Sequence, residues 1–178
     1  IHGAIAKDGL EGGLVGTNDG KIVGSYARGT ITSQAKQGGG LLGSLVAWND
    51  DGGAIANSYA RSKVTKGGTS GGLVGQNDGA ISASYCTGEV TATTYAGGLI
   101  GFDQAQAGSL NDTYWDTETS GITNPSQGAG NIANDPGITG LSTAQLQSGL
   151  PAGFDPTVWG ENTNINNGLP YLLANPPT

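Results

Sequence analysis

The stretch GGLVGTNDGKIVGSYARGTIT, Gly12–Thr32, decides the fold. Taken alone it has the look of a glycine-rich phosphate loop. Such a loop needs a helix N-terminus behind it and usually a Lys followed by Ser or Thr, and neither is present. Its parts also recur. GGLVG returns as GGLLG (Gly39–Gly43), GGLVG (Gly71–Gly75) and GGLIG (Gly97–Gly101), at steps of 27, 32 and 26 residues. GKIVGSYA (Gly20–Ala27) returns as GAIANSYA (Gly53–Ala60), GAISASYC (Gly79–Cys86) and, more weakly, GSLNDTYW (Gly108–Trp115). A third marker follows: Thr30-Ile31-Thr32, Lys63-Val64-Thr65, Glu89-Val90-Thr91. GAI at Gly3–Ile5 matches the second marker, so the chain is expected to begin inside a repeat.

Each repeat offers three short β-like runs separated by Gly and Asn-Asp-Gly corners. Asn, Asp and Gly tolerate the left-handed backbone that corners need. A unit this short cannot bury its own apolar side and must stack on its neighbours. The expectation is an all-β fold: a parallel β-helix of about four coils over residues 1–116. Stacking places equivalent residues in columns. The predicted core columns are Leu14, Leu41, Leu73, Leu99; Ile22, Ile55, Ile81, Leu110, preceded by Ile5; and Ile31, Val64, Val90. Ser25, Ser58, Ser84 and Thr113 form a hydroxyl column. Ala27, Ala60 and Cys86 form a small column, which makes Cys86 a buried structural thiol. SLVAWNDDGG around Trp48 is read as an insertion leaving one corner.

Residues 117–178 have no period. LSTAQLQSG reads as one short helix with Ser142 as N-cap, Leu146 inward and Gly149 as stop. Phe154, Trp159, Tyr171, Leu172 and Leu173 concentrate apolar mass here, and Tyr171–Leu173 reads as a short strand. An irregular cap on the solenoid end is expected, covering open sheet edges.

Composition narrows the function. Glycine is 34 of 178 residues, about 19% against a usual figure of roughly 7%. All seven basic residues lie at or before Lys66; against five acids there, residues 1–66 carry +2, while residues 67–178 hold nine acids and no Lys or Arg, giving −9. Phosphate backbones need clustered cations, so nucleic acid is a poor partner, and so is an anionic membrane surface. No run approaches the roughly 20 apolar residues of a membrane span. One cysteine allows no internal disulfide. The first residues lack the features of a signal peptide.

The pattern GGLVGxNxGxIxxSYAxGxV resembles the GLUG motif of bacterial secreted and surface proteins, including filamentous-haemagglutinin-type adhesins of two-partner secretion. The tail YWDTETSG…GLSTAQLQSGLPAGFDPTVW…LPYL resembles the segment that follows such repeats in haemagglutinin-like proteins. The resemblance implies a secreted or cell-surface location, a right-handed coil and a passenger or stalk role within a longer protein. A monomer is expected, contacting a glycan or a host or cell surface.

Three columns are candidate sites. Tyr26, Tyr59 and Tyr85, with Tyr114, form an aromatic ladder that suits sugar faces if it points outward; pointing inward with bonded hydroxyls is the alternative. Thr32, Thr65 and Thr91 form a threonine file on a sheet face. Asp19, Asp50 and Asp78 stack carboxylates at the corners. No cofactor is expected, and calcium is the one ion these corners leave open, although it wants six to eight oxygens. Nucleophilic catalysis fails on inventory, because His2 is the one histidine and Cys86 has no histidine partner in the repeat. The expected function is non-enzymatic adhesion or display. The rivals are a carbohydrate-active β-helix enzyme using Asp103, Asp112, Asp116 or Glu118 as a carboxylate pair, and an ice-binding solenoid, which would need two threonine files on one flat face.

Overall fold

A repeat with one apolar residue on each of three short runs has no interior until another repeat lies on it. The computed structural model describes residues 9–33 and 39–177, and it shows this stacking as a parallel β-solenoid of about five turns. The predicted residues Gly3–Ile5, including Ile5, and His2 lie outside the described residues.

Turn one holds β1 (Leu10–Gly12), β2 (Val15–Asn18), β3 (Lys21–Val23) and β4 (Tyr26–Thr32). Turn two holds β5 (Leu41–Gly43), β6 (Val46–Asn49), β7 (Ala54–Ala56) and the first half of β8 (Tyr59–Gly71), whose second half opens turn three. That turn continues with β9 (Val74–Asn77), β10 (Ala80–Cys86) and the first half of β11 (Val90–Gly97), whose second half opens turn four. Turn four continues with β12 (Ile100–Asp103) and β13 (Leu110–Asp116). Residues 117–141 add a fifth, irregular turn: Ala129 bridges Ile100, and β14 (Ile138–Leu141) pairs with β13 in parallel. The count therefore exceeds the expected four because part of the presumed cap is itself a turn.

Registers confirm two predicted core columns. Ile22, Ile55, Ile81 and Leu110 stand in line, as do Ile31, Val64 and Val90. The small column is also present: Ala27, Ala60, Cys86, Trp115. Cys86 is buried, its Sγ 3.0 Å from the Gly98 carbonyl, and burial pushes its thiol well up.

The leucine column differs at turns one and two: Leu14, expected in the core, is 39% exposed. Gly12, Gly43 and Gly71 are in register, so the true copy of GGLVG is GSLVA, Gly43–Ala47. Leu45 joins Leu73 and Leu99 in the core, all without solvent exposure, while Leu41 pairs with Leu10. The residues around Trp48 are thus mostly the repeat itself, and the insertion is two residues at the corner that follows, 50–53 against 19–20 and 78–79 in the neighbouring turns; a longer link also precedes Leu41.

The glycine pair has a packing cause. A Cβ on Gly43 or Gly71 would lie within 2 Å of the carbonyl oxygen three residues on. The second glycine faces the small column: a Cβ on Gly98 would sit 2.1 Å from the Trp115 ring. Turn two has Ser44 at this place, and its Oγ accepts from Ser62 N.

After β14 the chain turns back. α1 (Thr143–Leu146) has Ser142 as N-cap in a reciprocal capping box with Gln145, and Leu146 is buried, as predicted. β15 (Trp159–Gly160) and β16 (Tyr171–Leu172) pair antiparallel. Leu146, Phe154, Trp159, Leu169 and Leu172 form one buried cluster with Tyr59, Tyr85 and Tyr114. The segment from residue 142 onward therefore lies along the flank of the solenoid as a strap. It does not plug the end.

Candidate functional site

The tyrosines point out of the coil, and the strap covers them. Tyr26, Tyr59 and Tyr85 stack at centroid spacings of 5.0 and 5.3 Å with ring planes within 10°. Tyr85 donates from Oη to the Pro170 carbonyl at 2.6 Å and accepts from Asn166 Nδ2; Tyr114 Oη donates to the Ala152 carbonyl. Tyr59 and Tyr85 have no exposed surface. That corrects the reading of this column as a contact surface: two of its three candidate residues are interior, and Tyr26 is half-buried. The aromatic side chains serve the internal joint between solenoid and strap. Burial pushes the Tyr59 hydroxyl up to about 12 and Tyr85 well above its ordinary value.

The corner aspartates separate from their asparagine neighbours. Asn18, Asn49 and Asn77 point inward as a buried ladder: each Nδ2 donates to the next side-chain oxygen at 2.8 Å, and the last acceptor is Asp103 Oδ1. Asp19 is exposed. Asp50 Oδ1 accepts from the Asp51 backbone, and Asp78 Oδ2 accepts from Trp48 Nε1 and Gln76 Nε2. Among the described residues no three acids, histidines or cysteines gather as a metal-binding group.

The acids nominated for catalysis also hold structure. Asp116 Oδ1 accepts from the Glu118 and Thr119 backbones, and its Oδ2 accepts from Thr143 Oγ1; Glu118 accepts from the Thr143 backbone. Together they tie the fourth turn to the start of α1. The Asp112 carboxylate stands against Gly153 of the strap, where a Cβ would collide with it.

The threonine file stays at the surface. Thr32 and Thr65 are in register with their hydroxyl oxygens 3.1 Å apart, and Thr91 is exposed on the next strand. The neighbouring file is Thr30, Lys63 and Glu89, with Lys63 and Glu89 ion-paired at 2.7 Å. This face therefore carries one threonine file beside a mixed, charged one. Beyond Thr91 an open groove of about 430 Å³ lies between the fourth and fifth turns. Thr91, Thr94, Thr123, Gln127, Ala96 and Ile122 line it, and none of its walls is charged. Next along β11 from Thr94, Tyr95 is 37% exposed and packs on Phe102. The repeat pattern does not reveal Tyr95, because its register partners in the other turns are Thr69, Leu41 and Leu10 and none of them is aromatic.

No family model, no curated protein and no solved structure matches the chain. Among the described residues no helix is long and apolar enough to cross a membrane.

Proposed function

We propose that the chain is a non-enzymatic adhesion or display module of a secreted bacterial surface protein, binding a neutral glycan through the threonine file and the groove that continues it. One observation carries this reading: the threonine column remains at the surface, and its last member opens into an uncharged, hydroxyl- and amide-lined groove. Hydroxyls and side-chain amides donate and accept together, which matches the hydroxyls of a neutral sugar. The GLUG-like repeat supports the surface location and the longer parent protein.

The test is a glycan array with and without calcium, followed by titration of any hit against Thr91→Ala, Thr94→Ala and Thr123→Ala. Binding weakened roughly tenfold by each change, on the order of 1.4 kcal/mol, supports the groove. An array with no hit in either condition makes the module a spacer.

A further inference from the structure

The asparagine ladder ends on a carboxyl group, and a second carboxyl meets it there. Asp103 closes β12 as the last member of the ladder. From the fifth turn, Asn131 bonds the Asp103 backbone in both directions, each at 2.8 Å. Asp135, four residues later, reaches the Asp103 side chain. Asp135 is 8% exposed, and its Oδ2 is out of solvent with no donor partner. The two carboxyls line the same cavity, of about 220 Å³. A hydrogen bond between two such groups requires that one of them carry a proton. The other walls, including Ala105, Gln106, Ser109, Leu110, Ile132 and Pro136, carry no charge. Asp103 is thus the charged group that acts on Asp135.

We propose that the Asp103–Asp135 carboxyl pair is a proton-operated latch that docks the fifth turn on the fourth. With one proton between them the pair is satisfied, since Asp103 Oδ1 already accepts from Asn77. Without it, two adjacent carboxylates face each other across the seam, and the buried Asp135 oxygen has no donor. The Asp135 carbonyl accepts from Ile138 N, the first residue of β14, so repulsion acts where the last strand begins.

Burial, then the Asp103 charge, push Asp135 up to about 7. An undocked aspartate titrates near pH 4. The docked state therefore holds more protons between these values. Docking is strongest below about pH 4 and weakens as pH rises through about 7. One proton of linkage changes the opening constant by at most about tenfold per pH unit in that window.

Amide hydrogen exchange of residues 120–141 at pH 5.0 and pH 7.5, corrected for intrinsic rates, tests the latch in the intact chain. The wild type is expected to open more at pH 7.5, by at most about a hundredfold. Asp135→Asn removes the titrating group and supplies an amide donor to Asp103, so it should abolish the pH dependence while keeping the turn docked; Asp103→Asn leaves Asp135 buried and should only reduce it. Equal wild-type protection at both pH values overturns the proposal, and so does an Asp135→Asn variant that keeps the wild-type pH dependence. If added calcium at pH 7.5 restores protection in the wild type but has no effect in Asp135→Asn, a metal ion closes the pair and the proton latch is wrong.

Discussion

At Ala83 the backbone is left-handed, with φ 43°. The same place in the other turns holds Gly24, Asn57 and Asp112, all with positive φ. The corner before each Ser-Tyr pair thus demands this conformation, and alanine meets it at a cost of roughly 1 kcal/mol. Ala83→Gly is expected to stabilise the protein by up to ~1 kcal/mol in chemical denaturation, less whatever its methyl contributes to packing on the strap. A second contrast lies in the tyrosine stack. Tyr59 Oη is buried with no partner, whereas Tyr85 Oη has two. Tyr59→Phe should leave stability unchanged or raise it by ~1 kcal/mol, while Tyr85→Phe should lower it by about 1–2 kcal/mol. The sequence shows the column but not this difference. The distinction comes from strap residues Asn166 and Pro170, which no periodicity links to residue 85.

Across elements, the polar ladder matters as much as the leucine column. Asn77 accepts from Asn49 and donates to Asp103 and to the Gly79 carbonyl. Asn77→Ala leaves buried partners unsatisfied and is expected to cost ~3 kcal/mol, read from the denaturation midpoint at constant slope. Gly98→Ala should cost a similar ~2–3 kcal/mol, because its methyl meets the Trp115 ring. The Ile and Ile/Val columns were legible because each copy carries a β-branched or leucine side chain at a fixed offset from a glycine corner. The second turn was misread because GGLLG imitates the motif a few residues early, while the true copy has Ser44 and Ala47 in glycine positions. The asparagines were legible as corner formers; their inward side chains follow from register alone. Asp103 stands out in the sequence only as a candidate catalytic carboxylate; its place at the end of the ladder is hidden because it replaces the expected amide.

On the scale of the whole molecule, the strap changes what holds the solenoid together. Trp159 Nε1 bonds Asn57, and Arg61 Nη1 bonds Asn166 twice, across more than 100 residues of sequence. With Tyr85 and Tyr114 also engaged, one segment touches turns two, three and four. Its buried tyrosines make a prediction for alkaline solution. The folded protein retains the protons of Tyr59 and Tyr85 after an unfolded chain loses them near pH 10. The stability Tyr59 contributes is therefore complete below pH 10 and is lost as pH rises through about 12, and Tyr85 acts in the same direction. An ultraviolet titration should show these two rings ionising together with loss of structure, after the exposed tyrosines. The strap itself was legible as apolar mass and one capped helix, but its place was not: the sequence gives no sign that it runs along the flank.

Repeat stacks ordinarily exchange energy only between neighbours, so they can fray from an end one unit at a time. A strap spanning three turns removes that freedom. A chain appearing N-terminus first can stack its turns early, but the joint waits for Trp159 and Pro170 to emerge. Pulled from its two termini in a force experiment, the molecule should hold as one mechanical unit until the strap peels, then give way in small successive steps.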